Sequence, residues 1–116
     1  MLVSGNSRPN PDDPLASRYT ITAVNLAVRP VEIGRVGVIC GNGVGSWYGP
    51  PPANLPARLE DGQSVTVEIS PDWIELVRDS LQQEIVGFAA EDSLGWRYPS
   101  EAAPAVTAMT EMGFIG

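Results

Sequence analysis

Few stretches of this chain have residue types and spacing that suggest chemistry. Gly41-Asn42-Gly43-Val44-Gly45 is a glycine-rich run, of the kind that cradles phosphate when its backbone N–H groups open a helix. Here Ser46-Trp47-Tyr48-Gly49 and then Pro50-Pro51-Pro52 follow, and successive prolines prevent that helix. The spacing predicts a mobile inter-strand loop instead. Asp12-Asp13, Glu60-Asp61 and Glu91-Asp92 are adjacent acid pairs. A hard cation wants roughly six to eight oxygens from clustered carboxylates, and two facing carboxylates can hydrolyse a glycoside. No EF-hand spacing accompanies these pairs, and each falls in a turn-like stretch where solvated acids are commonplace. Cys40 closes an apolar run with no cation cluster beside it, which predicts an inert buried thiol.

The composition narrows the chemistry further. The chain has 116 residues with no His, and all seven of its cations are Arg. Without His there is no imidazole base, no Ser-His or Cys-His nucleophile pair and no His metal ligand. Without Lys there is no Schiff base and no P-loop lysine. These absences argue against an enzyme and against a cofactor or metal. Seven Arg against 14 Asp and Glu give a formal charge of −7. Scattered Arg on an acidic chain disfavour nucleic acid, which is held by clustered cations, and disfavour an anionic membrane surface. The first residues lack a basic, apolar leader, and no apolar run reaches the length of a bilayer span. The expected location is a virion for a viral chain and the cytoplasm otherwise.

The elements that must position any site read as mostly β. Residues 1–17 are rich in Pro, Ser, Asn and Asp and predict an extended N-terminal arm. Tyr19–Val28 reads as a strand, broken by Arg29-Pro30. Val31–Cys40 resumes with alternating apolar residues whose register slips at Gly34-Arg35, so a β-bulge is expected there. Residues 41–56 form the Gly- and Pro-rich loop, and Ala57–Glu60 a short edge strand. Asp61-Gly62 turns into a strand on which Val65, Val67 and Ile69 face one way. Ser70-Pro71-Asp72 then opens a helix over about 71–82, with Ser as N-cap, Pro in the first turn and acid at the positive dipole end. Glu84–Glu91 and Trp96–Ser100 are strands joined by the turn Asp92–Gly95. Residues 101–116 show no clear period and predict a second, C-terminal arm. The domain proper is residues 18–100.

Three phrases in this order resemble a known family. The run TAVNLAVRPVEIGRVGV, the hairpin LEDGQSVTVEI and the closing EDSLGWRYPS resemble the opening strands, middle hairpin and terminal hairpin of small immunoglobulin-like domains. Such domains are common in high-GC bacteria and their phages, and the likeness covers about residues 19–100. It implies an immunoglobulin-like antiparallel β-sandwich with one short inserted helix and a tendency toward interaction roles. It carries no catalytic residues.

Within that frame the expected function is a non-enzymatic structural protein of a large assembly. A phage virion component is the form expected: capsid decoration, head–tail connection or tail ornament. Its partners are protein subunits of the same assembly, self-association included. Candidate contact residues are Trp47, Tyr48 and Asn42 in the 41–56 loop, where rigid rings offer contact area or fold back to cap the core. Apolar residues of the arms, Leu15, Val106, Met109, Met112, Phe114 and Ile115, complete the set, since strand addition on a neighbour would order them. The alternative is a stand-alone ligand-binding module, for example for carbohydrate, using Trp47, Tyr48 and Asn42.

Overall fold

The computed structural model describes residues 1–10, 13–49, 52–101 and 103–112. Two sheets face each other across one apolar core. The smaller sheet has the order β1-β2-β6, formed by Leu2–Asn10, Asp13–Val24 and Ser64–Ile69. The larger runs β8-β7-β3-β4-β9, formed by Arg97–Pro99, Ile85–Asp92, Val31–Cys40, Val44–Tyr48 and Ala108–Met112. Ala57–Leu59 (β5) pairs with the first residues of β3, Val31↔Leu59 to Ile33↔Ala57, while β4 pairs with its last ones. All pairings are antiparallel except that of β4 with β9.

Period-two alternation explains which side chains meet between the sheets. Ile21 and Ala23 of β2 sit beside Val67 and Val65 of β6, and Ile21, Ala23, Val67 and Ile69 are buried. Thr22 and Thr66 point the other way and hydrogen-bond across the pair at 2.9 Å. On β3, Ile33, Val36 and Val38 enter the core between the sheets, while Ile39 is buried in a separate small cluster. The step of three from Ile33 to Val36 coincides with a register shift between Ile33 and Arg35, which is the expected bulge. Gly5 lets the sheets close: a Cβ there would lie inside the ring of Phe88 from the opposite sheet.

The helix α1, Pro71–Leu81, links the two sheets and buries Trp73, Ile74 and Val77. Ser70 precedes it in extended conformation, and Pro71 opens it, as expected, but the serine side chain makes no cap hydrogen bond. The N–H of Ser70 instead donates to the Tyr48 hydroxyl at 3.2 Å. Gln82 ends the helix in the left-handed region at φ 52°. Arg78 then pairs with Glu84 through two hydrogen bonds of 2.9 and 3.0 Å, which ties the helix end to the start of β7.

Two boundaries differ from the sequence reading. Leu2–Asn10, read from the sequence as part of an arm, is an edge strand paired with β2 from Leu2↔Val24 onward. An edge strand needs only one satisfied ladder, so its proline-bearing composition is tolerated there, and Val3 supplies a core side chain. Residues 103–112 are not a free arm either. They cross the outer face of the larger sheet and end as β9 beside β4. The 41–56 loop correspondingly contains a strand, β4.

Candidate interaction surface at one end of the sandwich

Two connections between the sheets and strands are each held by one buried polar side chain. Asn25 follows β2 and is fully buried. Its amide donates to the carbonyls of Arg29 and Leu59, both at 2.9 Å. Its side-chain oxygen accepts the N–H of Ala27 at 2.9 Å, an Asx turn that fixes the loop to Pro30. Asp92 ends β7 and plays the same part in the next connection. One carboxylate oxygen accepts the N–H groups of Leu94 and Trp96 at 3.0 and 2.9 Å, and the other accepts the Tyr98 hydroxyl at 2.7 Å.

The electrostatics follow from those bonds. Burial alone pushes the Asp92 carboxyl up, but hydrogen bonds from Tyr98 and from backbone N–H groups outweigh it and hold the carboxyl below its ordinary range. The Tyr98 hydroxyl is pushed up to about 12, first by its bond to Asp92 and then by burial.

What these locks present is apolar. Leu26 and Val28 on the first loop are 62% and 88% exposed, and Leu94 and Trp96 on the second are 84% and 67% exposed. The two loops border one cleft of about 450 Å³, lined by Arg29, Glu32, Arg58, Leu94, Trp96 and Tyr98 among others. A hydrogen bond from Ser93 N–H to the Glu32 carbonyl, 2.9 Å, holds the second loop against the start of β3. Single exposed apolar residues are ordinary, but four on two pinned loops at one end of a small domain make that end the candidate contact surface. Preorganised loops lose little entropy on binding.

The residues singled out from the sequence lie elsewhere. Trp47 is buried, on the outer face of the larger sheet, with the Arg35 guanidinium 4.6 Å and that of Arg97 5.9 Å from its ring centre. Tyr48 packs edge-on against Trp73 at 4.9 Å. Asn42 is exposed in a turn, its side-chain oxygen accepting the Val44 N–H at 3.1 Å. The three therefore form no common face, because β4 sends Trp47 and Tyr48 to opposite sides of the sheet. Val106 and Met109 pack in a small cluster with Ile39, Trp47 and Ala89 of their own chain. Leu15 lies in β2 and Met112 ends β9, while Phe114 and Ile115 lie outside the described residues.

The acid pairs also separate. Glu91 points outward to Arg35 at 2.8 Å and Arg97 at 3.5 Å, whereas Asp92 points inward to its loop. Glu60 pairs with Arg58 at 3.1 Å, and Asp12 lies outside the described residues. Among the described residues no group of three or more metal-ligating side chains converges. Cys40 is buried, and burial, with Glu84 nearby, raises its thiol pKa. A raised pKa leaves little thiolate for reaction.

The sequence reading passed over Leu26, Val28, Leu94 and Trp96. A signal existed: Leu26 follows Asn25 directly and Leu94 lies two residues after Asp92, and each acid or amide can form an Asx turn. Comparison with known families, with curated proteins and with solved structures finds no match. No helix among the described residues is long and apolar enough to cross a membrane.

Proposed function

We propose that this chain is a non-enzymatic, immunoglobulin-like interaction protein that docks on protein subunits of a large assembly through its loop end. Strand order supports the immunoglobulin-like reading. The first, second and sixth strands form one sheet, and the eighth, seventh, third and fourth lie side by side in the other, an order compatible with two-sheet immunoglobulin domains, to which β5 and the parallel β9 are added. Trp73 from the inserted helix fills the space between sheets, and Cys40 is the chain's one cysteine, so no inter-sheet disulfide of the antibody type forms within the chain.

The observation that carries the docking surface is the pair of locked loops bearing Leu26, Val28, Leu94 and Trp96. This relocates the contact expected from the 41–56 loop. A phage particle, with the chain as capsid decoration, head–tail connector or tail ornament, is the assembly the sequence resemblance favours. The test is sedimentation of lysates from the source of the chain. The native chain should travel with large particles, and the Leu94→Ser/Trp96→Ser chain should remain at the top of the gradient. A native chain that sediments as a free monomer overturns the reading.

A second reading has one observation behind it. Trp96 stands exposed beside the cleft that also contains Arg29, Glu32, Arg58 and Tyr98, a combination of aromatic face and polar groups suited to a sugar. Binding to a glycan array, lost in Trp96→Ser, would favour a stand-alone carbohydrate-binding module.

A further inference from the structure

The turn between β3 and β4 places a side-chain amide beside the backbone nitrogen that can displace it. Of the five Asn in the chain, Asn42 alone is followed by Gly. Gly43 carries no Cβ to crowd its own nitrogen, and closing a ring onto the Asn42 side-chain carbon joins groups already held in one chain. Asn25 and Asn54, by contrast, precede leucine and hold backbone carbonyls through their amide nitrogens.

The bonds around Asn42 assist attack at its side-chain carbon. The residue is exposed, and its side-chain oxygen accepts the Val44 N–H at 3.1 Å. That donor faces the oxygen on which negative charge develops when the carbon is attacked. The Asn42 amide nitrogen, which must leave, makes no hydrogen bond among the described residues.

The attacking nitrogen is held back. Gly43 is buried, its N–H donates to the Cys40 carbonyl at 2.9 Å, and its own carbonyl accepts the Thr107 N–H at 3.0 Å. The segment leading to β9 lies over it: a Cβ on Gly43 would meet the Ala105 carbonyl and the Thr107 side chain. Attack therefore waits until residues 103–107 lift away. Ala103, Val106 and Met109 pack on the small cluster of Ile39, Trp47 and Ala89 and not on the core between the sheets. Such a segment can open locally while the sandwich stays closed.

We infer that Asn42-Gly43 is a self-modification site, and that its conversion to isoaspartate unseats β9. A solvent base takes the Gly43 N–H proton, the nitrogen bonds to the Asn42 side-chain carbon, and the amide leaves as ammonia with a proton returned by solvent. Water then opens the cyclic imide. Opening at the side-chain carbonyl gives aspartate. Opening at the backbone carbonyl gives isoaspartate, whose main chain runs through one additional methylene. That extra atom falls inside a turn where Cys40, Val44 and Thr107 all bond to residues 42 and 43. Thr107 loses its acceptor next to the point where the parallel ladder begins, Val44↔Ala108. Opening permits the reaction, and the product prevents closing. The inference is independent of the assembly reading.

The test uses the intact chain, aged in mildly alkaline buffer and followed by intact mass, released ammonia and peptide mapping. Ammonia release and the mass gain of an amide turned acid are expected at residue 42, with isoaspartate among the products. Asp61-Gly62, the chain's one Asp–Gly step, can isomerise only without change of mass, so mapping separates the two. Hydrogen exchange on the separated isoaspartyl form should show the Thr107 amide losing protection, while Asn42→Asp keeps it. Met109→Ala, which loosens the covering segment, should speed conversion several-fold. An amide that persists at residue 42 while a peptide of residues 39–46 converts overturns the inference. So does an isoaspartyl chain with Thr107 still protected, an Asn42→Asp chain that loses the same protection, or a Met109→Ala chain that converts no faster.

Discussion

The Tyr98 hydroxyl donates a 2.7 Å hydrogen bond to the inward carboxylate of Asp92, and the same carboxylate holds the N–H groups of Leu94 and Trp96. One acid thereby fixes a whole turn whose apolar side chains face solvent.

This pair predicts a two-sided pH dependence. Asp92 has a folded pKa below its unfolded value, so its contribution is present above the unfolded pKa of about 3.9 and is lost as pH falls through the folded one. Tyr98 has its pKa raised to about 12, so its contribution is full below about 10 and is lost as pH rises from there toward the folded value. Absorbance titration should find one tyrosine ionising at about pH 12. Tyr98→Phe should abolish that late step and cost about 1–3 kcal/mol in urea unfolding near neutral pH.

Asn25→Ala should be among the more damaging polar substitutions. It leaves the carbonyls of Arg29 and Leu59 and the N–H of Ala27 without their side-chain partner. A loss of about 2–4 kcal/mol is expected from buried groups left unsatisfied. Hydrogen exchange should show the Ala27 amide losing protection. Unchanged protection there would mean that the loop is held by something other than Asn25.

Gly5→Ala should destabilise the sandwich by about 1–3 kcal/mol, the usual cost of overpacking, because its new methyl meets the Phe88 ring. Phe88→Leu in the same chain should recover part of that loss. A double-mutant cycle by denaturant unfolding would show coupling between the two positions, one on each sheet. Strictly additive losses would contradict the contact.

The tryptophans should behave differently from one another. Trp73 and Trp47 are buried and Trp96 is exposed, so Trp96→Ser should remove most of the fluorescence accessible to a neutral quencher. It should also shift stability by no more than about 0.5 kcal/mol, as exposed substitutions do. Trp73→Ala should cost about 3–5 kcal/mol, through loss of a large core side chain.

The parts of this architecture that follow from side-chain period were legible in the sequence. The ten residues of β3, its bulge beside Gly34, the inward run Val65, Val67 and Ile69, and the helix opened by Pro71 all show in alternation or spacing. The strands β1 and β9 were not, because both owe their form to a partner supplied by the fold: β2 for one and β4 for the other. The candidate surface was hidden for a related reason. Trp47 and Trp96 carry the same side chain, and only the tertiary arrangement puts the first under Met109 and leaves the second in solvent. Gly43 and Gly45, which read as part of a mobile loop, are places where a Cβ would strike the carbonyls of Ala105 and Val38.

The locking of each loop by a residue outside its exposed tip also bears on evolvability. Asn25 and Asp92 bond to backbone atoms of the loops, apart from the Leu59 carbonyl of β5 and the Tyr98 hydroxyl. The side chains at 26, 28, 94 and 96 can therefore be exchanged while the loop backbones keep their shape. Recognition and stability are written in different positions, so the same framework can be retargeted by randomising four codons.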